Sequence, residues 1–230
     1  MKLKNKVAIV TGGGKGIGEE ISLGLAKEGA KVVVADLDKE NSSNVVKEIV
    51  KNNGDAIYVE TDVSNEASVK NLISETINRF DQIDILINNA GIRHVKKLEN
   101  HDLSDWDDMI SVNLTGPYIC CQAVIPEMKK IGKGKIINFG SIASFMGRPD
   151  RVGYVAAKSG ILGLTRALAI DLKGTNINVN TICPGLISTP FNKKYAEDPT
   201  HGEQWGKETI VGRWGLPSDI VGAAIFLSSN

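Results

Sequence analysis

The sequence predicts an α/β protein whose doubly wound parallel sheet lies between two layers of helices. Short apolar runs alternate with longer amphipathic stretches along all 230 residues. The apolar runs are nearly continuous, which suits strands that are covered on both faces. Alternating strands and helices require right-handed crossovers between parallel strands. We therefore expect three layers and a single domain over residues 1–230.

Each predicted element follows from a local pattern. The helical stripe of Val69, Leu72, Ile73, Thr76, Ile77 and Phe80 repeats at helical spacing. Ser104, with Asp107 three residues later, is predicted to cap the helix that carries Trp106. A long irregular stretch over residues 185–215 is predicted to be a substrate loop, because long loops in compact domains are usually functional or mobile. The strands are predicted at Val7–Val10, Val32–Ala35, Ala56–Val59, Ile83–Ile87, Ile136–Phe139 and Ile177–Ile182.

The composition excludes several classes of protein. There are 27 basic and 27 acidic side chains, so the formal net charge is zero. Such a balance argues against bulk electrostatic capture of nucleic acid or of an anionic membrane. No apolar run approaches the roughly 20 residues that span a bilayer, and the N-terminus looks like a first strand rather than a signal peptide.

The cysteines and histidines give neither a disulfide framework nor a metal site. Cys120 and Cys121 are adjacent in an apolar helical stretch, and Cys183 makes the count odd. We interpret them as small buried side chains in a reducing compartment, and we expect a cytoplasmic protein. Ligand spacing is lacking, so we predict no bound catalytic metal.

A glycine-rich turn marks a dinucleotide site. The segment Thr11–Gly18 follows the first strand and opens a helix. Glycines there let backbone N–H groups approach a pyrophosphate at the helix N-terminus, as in Rossmann-like folds. Asp36 ends the second strand, where an acid hydrogen-bonds a ribose 2′-hydroxyl and repels a 2′-phosphate. Lys15 favours NADP instead, but Asp36 acts directly on the discriminating group. We predict NAD, with NADP as the alternative.

Several motifs together resemble the short-chain dehydrogenase/reductase family. The glycine turn matches TGxxxGxG, Asn88–Gly91 matches NNAG, and Tyr154 with Lys158 matches YxxxK. The resemblance implies a single-domain oxidoreductase that transfers a hydride between a nicotinamide cofactor and a secondary alcohol or ketone. The cofactor residues that it implies are Gly12, Lys15, Gly16, Ile17, Gly18, Asp36, Asp62, Val63, Asn89, Ala90, Gly91, Tyr154, Lys158, Pro184, Gly185, Ile187 and Thr189.

The YxxxK pair has a chemical rationale. Side chains at i and i+4 share one helix face, so Tyr154 and Lys158 point into the same space. Free tyrosine has a pKa near 10; a nearby ammonium stabilises its phenolate, and an oxidised nicotinamide adds positive charge. Lowering that pKa by about 3 units needs on the order of 4 kcal/mol. We therefore expect a lowered Tyr154 pKa and acid–base catalysis by this residue.

The resemblance adds two catalytic residues. Ser141 lies 13 residues before Tyr154, as the family's catalytic serine does, and is expected to hold the substrate oxygen. Asn113 matches the family's helix asparagine, which holds a water that links Lys158 to solvent. Together with Tyr154 and a ribose hydroxyl, these residues form the implied proton relay.

Substrate identity rests on fewer residues. Arg93, His94, Arg148 and Arg151 are candidates for binding a substrate carboxylate, since arginine grips carboxylates with two parallel bonds. The tail Gly212–Asp219 looks like that of sugar-acid dehydrogenases such as gluconate 5-dehydrogenase. Glucose 1-dehydrogenases and 3-oxoacyl-carrier-protein reductases have similar tails and stay as alternatives, as does a non-catalytic NAD-binding redox sensor.

The C-terminus departs from the family pattern. Family members continue past Phe226-Leu227 through one more strand, so we expect the last edge strand of the sheet to be missing. The resemblance also implies a homo-oligomer, either a tetramer or a dimer.

Overall fold

The computed structural model describes residues 1–200 and 202–229, and their fold is the predicted one. Six parallel strands form one sheet in the order β3-β2-β1-β4-β5-β6. The chain therefore starts in the middle, winds to one edge and then returns to build the other edge. The strands are β1 (Val7–Thr11), β2 (Lys31–Asp36), β3 (Asp55–Glu60), β4 (Ile85–Asn88), β5 (Gly134–Phe139) and β6 (Ile177–Ile182).

Helices cover both faces of the sheet. The longer ones are α1 (Gly16–Lys27), α2 (Lys39–Lys51), α3 (Glu66–Phe80), α4 (Leu103–Ile110), α5 (Gly116–Ile131), α6 (Val152–Asp171) and α9 (Ser218–Ser228). Two short helices, α7 (Lys193–Ala196) and α8 (Gly202–Lys207), lie within the long stretch over residues 185–215. That stretch is thus partly helical. Among the described residues, β6 forms one edge of the sheet.

The core consists of two apolar clusters, one on each face. In β1, Val7 and Ile9 join one cluster, while Ala8 and Val10 join the other. Helices α3 and α5 cover the first cluster; α1, α2 and α9 cover the second. Because successive strand residues point to opposite faces, burial on both sides requires the continuous apolar runs seen in the sequence.

A chain of polar side chains crosses the core below the carboxyl ends of the strands. The Asn88 amide donates to Asn138 Oδ1 at 2.8 Å, and the Asn138 amide donates to Thr165 Oγ1 at 2.9 Å. The Thr181 hydroxyl donates to the same Thr165 oxygen at 2.7 Å. These bonds tie α6 to strands β4, β5 and β6.

A buried carboxylate organises the opposite end of the sheet. Asp84 is 2% exposed and accepts from the Val7 backbone N–H at 2.9 Å. The Lys6 ammonium lies 3.3 Å from the same carboxylate. The pair fixes the start of β1 against the segment that leads into β4.

One predicted helix start was wrong. Helix α4 begins at Leu103 after the cap residue Asp102, whose backbone N–H donates to Asp105 Oδ2 at 3.0 Å. Lys96 also binds Asp105, at 2.6 Å. An acid at position 105 therefore closes the first turn, and Ser104 lies inside the helix.

Candidate active site

The predicted motifs that follow strands all lie at the carboxyl end of the sheet. Each follows the carboxyl end of a parallel strand, on both sides of the point between β1 and β4 where the strand order reverses. In open α/β sheets this crevice is where ligands bind. The motifs are the glycine turn after β1, Asp36 at the end of β2, Asp62-Val63 after β3, Asn89–Gly91 after β4, Ser141 after β5 and Pro184–Thr189 after β6.

The glycine turn is tied to the segment after β4. Gly12 and Gly16 have φ values of 61° and 57°, in the left-handed region that favours glycine. The Asn89 amide donates to the Gly12 carbonyl at 3.0 Å. The Thr11 hydroxyl accepts from the backbone N–H groups of Asn89 and Ala90, both at 3.1 Å. These contacts hold the two sides of the crevice at a fixed separation.

Asp36 is positioned by the backbone around it. Its two carboxylate oxygens accept from the N–H groups of Gly14 and Asp38, each at 3.0 Å. Asp36 therefore faces the glycine turn. After β3, Asp62 accepts from the Ser64 hydroxyl at 2.6 Å, and Val63 is buried against Gly116.

The segment after β6 closes over the glycine turn. Ile187 pairs with Gly215, and the Ser188 N–H donates to the Gly215 carbonyl at 2.8 Å. Thr189 lies directly above Gly16, since a Cβ on Gly16 would come within 3.4 Å of the threonine side chain. Pro184 and Gly185 lead into this segment from the strand end.

Tyr154 and Lys158 share one face of α6, as predicted from their spacing. The Lys158 ammonium lies 5.9 Å from the centroid of the Tyr154 ring. It also donates to the Phe139 carbonyl at 2.8 Å, and Lys158 is 5% exposed. Burial lowers the pKa of Lys158 from 10.5 to about 8.

Ser141 reaches the same space from the end of β5. Its hydroxyl acts on the pKa of Tyr154, opposing the rise that burial causes, and accepts from the Ala143 N–H at 3.1 Å. Ser144 braces this turn: its hydroxyl accepts from the Ser141 N–H at 3.1 Å and donates to the Lys158 carbonyl at 2.6 Å. The serine is thereby fixed relative to the tyrosine–lysine helix.

Asn113 lies in a π-helical turn, Ser111–Thr115, between α4 and α5. Such turns are rare and frequently occur at functional sites. The Asn113 amide nitrogen donates to the carbonyls of Ile92 and Met109, both at 3.0 Å. Gly91 keeps the space beside it open: a Cβ there would lie 2.8 Å from Asn113 Oδ1 and 3.6 Å from Lys158 Nζ.

The expected lowering of the Tyr154 pKa is not produced by the protein alone. Burial, the largest influence, raises the pKa of Tyr154. The Ser141 hydrogen bond and the charges of Arg93 and Arg151 oppose it. The Lys158 ammonium is directed at the Phe139 carbonyl, so it does little for the phenolate in this arrangement.

Two of the four predicted substrate cations converge near Tyr154. The Arg93 guanidinium lies 4.5 Å from the Phe191 ring centroid and 5.2 Å from that of Tyr195. Arg151 lies 5.6 Å from the Tyr195 ring. His94 instead lies 3.5 Å from Asp108. Arg148 is exposed, and the described contacts do not bring it to this cluster.

Sequence reasoning missed the residues that complete these contacts. Phe191 and Tyr195 are about 100 positions from Arg93 along the chain, and neither has a recognisable motif. Ser144 was visible only as a second serine after the strand. Asp38 could have been noticed, because an acid two residues after Asp36 precedes an amphipathic helix and so fits an N-cap.

The amino-acid sequence matches the model of a known protein family. The family model described as "short chain dehydrogenase" matches residues 6–200. The chain belongs to the short-chain dehydrogenase family. The resemblance seen in the sequence is therefore confirmed.

Relatives of this short-chain dehydrogenase match it almost end to end. An "Uncharacterized oxidoreductase" of Thermotoga maritima is 39% identical over 99% of this chain and 90% of its own length. A "3-oxoacyl-[acyl-carrier-protein] reductase" of Synechocystis sp. is 38% identical over 99% of this chain and 91% of its own length.

Solved structures agree with the fold. A protein described as an NAD(P) dependent gluconate 5-dehydrogenase, from Beutenbergia cavernae with bound NADP, superposes with a TM-score of 0.93. It is 32% identical and covers 99% of this chain and 91% of its own. Levodione reductase superposes with a TM-score of 0.92 at 32% identity, over 99% of this chain and 92% of its own.

This short-chain dehydrogenase is an NAD(P)-dependent oxidoreductase that acts on CH–OH groups. Its own residues fit such a cofactor, since the Asp36 carboxylate and the glycine turn face each other and Gly91 leaves space beside Lys158. None of the helices in the described part of the chain has the length and apolar character needed to cross a bilayer.

Proposed function

We propose that this short-chain dehydrogenase interconverts a secondary alcohol and a ketone on a sugar acid, with NAD as the preferred cofactor. The observation that carries the substrate proposal is the pair of arginines beside Tyr154. The cofactor preference is supported by Asp36, whose negative charge at the end of β2 opposes a 2′-phosphate.

The reaction uses four side chains of the protein. Tyr154 exchanges a proton with the substrate oxygen, and the Ser141 hydroxyl, whose influence lowers the pKa of Tyr154, orients that oxygen. Lys158 and Asn113 form the inner part of the proton path behind Tyr154. The nicotinamide cofactor, when bound, supplies or accepts the hydride. Positive charge from Arg93 and Arg151 favours the phenolate form of Tyr154.

The aromatic rings hold both arginines in place without neutralising them. Phe191 and Tyr195 present their faces to the two guanidinium groups, an arrangement that is attractive but leaves the positive charge intact. Arg93 adds one hydrogen bond, to the Phe191 carbonyl at 3.3 Å. Both rings come from the predicted substrate loop, residues 185–215, which supports its assignment to substrate binding.

The arginines have no acidic partner among residues 1–200 and 202–229. The Nε of Arg151 is buried and makes no hydrogen bond to any described residue. Burial, and then the charge of Arg151, lower the pKa of Arg93. Two cations that repel each other next to the proton donor form a site for an anion, and arginine binds carboxylates bidentately. A sugar acid supplies both this carboxylate and a secondary alcohol.

Reduction of a 3-oxoacyl thioester is the second candidate, because the Synechocystis relative carries that name. A thioester has no charge next to its ketone, so it leaves the arginines without an anion. A neutral sugar, the substrate of glucose 1-dehydrogenases, leaves them unpaired in the same way. A redox sensor would bind NAD without turning over any alcohol.

A substrate panel tests the proposal. Gluconate, glucose and an acetoacetyl thioester would each be assayed with NAD and NADP by nicotinamide absorbance. We expect turnover of the carboxylated polyol, with KM at least about tenfold higher in Arg93→Gln and Arg151→Gln, because each loses a charge-assisted bond. Arg166→Gln, on the exposed side of α6, is the matched control and should change KM little.

Two outcomes would overturn the substrate proposal. One is turnover of the thioester but not of any carboxylated polyol. The other is an equal loss in the arginine variants for charged and neutral substrates. Tight NAD binding without any turnover would instead favour the sensor.

Assembly and location belong to the same proposal. We expect a homo-oligomer, either a tetramer or a dimer, in the cytoplasm. Sedimentation at several protein concentrations measures the assembly, and a monomer at all of them would contradict it.

A further inference from the structure

The cation of the glycine turn is paired with an acid from the neighbouring turn. The Lys15 ammonium lies 2.5 Å from Asp38 Oδ2. Asp38 follows β2 by two residues and caps helix α2. The feature that favoured NADP in the sequence is therefore engaged by a carboxylate of the same chain.

Asp38 is the fixed member of the pair. Its carboxylate accepts from the Asn41 backbone N–H at 3.1 Å and from the Asn41 amide at 2.8 Å. Its own N–H donates to Asp36 Oδ1 at 3.0 Å. Lys15, at the end of a flexible chain, is half-exposed. The position of the ammonium is thus set by Asp38 rather than by the lysine.

The pair is charged at neutral pH. The Lys15 hydrogen bond, followed by the bonds from Asn41, lowers the pKa of Asp38 to about 2. The charges of Asp38, Asp36 and Glu40 all act on Lys15 as well. The surroundings of the lysine are therefore net negative.

We propose that Asp38 is a specificity residue of the dinucleotide site, which excludes a 2′-phosphate by holding the Lys15 ammonium and placing a second carboxylate beside Asp36. A 2′-phosphate adds close to two negative charges, so it meets two carboxylates here, and the ammonium of the glycine turn is already paired with one of them. A ribose with a free 2′-hydroxyl meets no such repulsion. The inference rests on the proposed cofactor preference and adds a residue to it.

The test is an Asp38→Asn variant, because asparagine still caps the helix and still accepts from the Asn41 N–H. Calorimetry would measure the Kd of NAD⁺ and NADP⁺, and of the fragments 5′-AMP and 2′,5′-ADP. We expect the variant to bind NADP⁺ and 2′,5′-ADP, the two ligands with a 2′-phosphate, about tenfold more tightly. The Kd values of NAD⁺ and 5′-AMP should stay unchanged within about twofold. The gain should shrink as salt is added, because the groups are exposed.

Two further variants show whether the contact itself is responsible. In Asp38→Asn combined with Lys15→Met, the gain should disappear, because the freed ammonium is its source. Glu40→Gln removes a nearby charge that does not touch Lys15, and it should leave the Kd ratio of NADP⁺ to NAD⁺ close to that of the wild type. An equal gain in Glu40→Gln, or a gain that survives in the double variant, would overturn the role of Asp38.

The outcomes separate this inference from the proposal beneath it. A wild type that prefers NADP⁺ contradicts the proposed cofactor preference, yet a tenfold change in Asp38→Asn would still support the role of Asp38. A wild type that prefers NAD⁺, with an unchanged ratio in Asp38→Asn, overturns the role of Asp38 alone. If the wild type binds neither dinucleotide, both fall.

Discussion

Replacing Lys158 by methionine removes the most deeply buried charge in the candidate active site. The side chain is 5% exposed, and its ammonium has the Phe139 carbonyl as its hydrogen-bond partner at 2.8 Å. No described carboxylate forms an ion pair with it. Because the unfolded chain solvates this ammonium fully and the folded chain does not, burial opposes folding at neutral pH.

The size and sign of the effect follow from the pKa. Burial lowers the pKa of Lys158 from 10.5 to about 8, so the unfolded state binds more protons between these values and stability rises with pH there. At about 1.4 kcal/mol per pH unit, the whole difference is about 3 kcal/mol. About 2 kcal/mol of it appears between about pH 6.5 and pH 9.5. Below about pH 7 the contribution is flat.

Urea unfolding at several pH values measures this contribution. The free energy of unfolding of the wild type should rise by about 2 kcal/mol relative to Lys158→Met over that range. The slope is diagnostic, because a change in packing shifts the stability of the variant equally at every pH, whereas the buried ammonium contributes through its titration. Lys51→Met, on the exposed end of α2, is the control and should run parallel to the wild type. Parallel curves for Lys158→Met as well would refute the burial argument.

Three other substitutions test separate parts of the structure. Tyr154→Phe should lower kcat by about 10²–10⁴-fold while dinucleotide binding by calorimetry is retained; full turnover would remove the tyrosine from the mechanism. Gly91→Ala places a Cβ 2.8 Å from Asn113 Oδ1, so kcat should fall and its pH profile should shift, whereas an unchanged profile would contradict a proton path there. Asp84→Ala strips a buried carboxylate from the Val7 N–H and should reduce the free energy of unfolding by about 3–5 kcal/mol in urea; a loss under about 1 kcal/mol would show that the pair is dispensable.

The sheet was predictable because burial on both faces leaves a plain signal. Ile177–Ile182 was predicted with the bounds that the structure has. The start of β4 was placed two residues early, since Ile83 is apolar and fully buried but precedes the strand. An apolar run in the sequence indicates which residues are buried, whereas the hydrogen bonds between strands determine where a strand begins.

The site was predictable where chemistry follows a motif along the chain. Tyr154 and Lys158 share a helix face because of their spacing alone. Their electrostatics depend on the fold, and in the protein alone the pKa of Tyr154 is raised rather than lowered. Burial outweighs a lysine whose ammonium is directed at a backbone carbonyl, and only the structure shows that carbonyl.

Contacts between distant segments could not be predicted. Arg93 meets Phe191 and Tyr195 only when the segment after β6 folds back over the crevice. The π-helical turn at Asn113 was likewise not predicted, because a pattern of apolar residues does not show which backbone carbonyl each N–H group bonds.

The polar chain through Asn138, Thr165 and Thr181 also sets how accurately the proton donor is aimed. Thr165 lies eleven residues after Tyr154, about three turns and roughly 16 Å along the same helix axis. Apolar packing tolerates small slides and rotations of a helix, whereas short hydrogen bonds to neighbouring strands lock both movements. The orientation of the Tyr154 hydroxyl thus depends on hydrogen bonds deep in the interior. Shortening the Thr165 side chain would misalign the proton donor while the fold stayed intact.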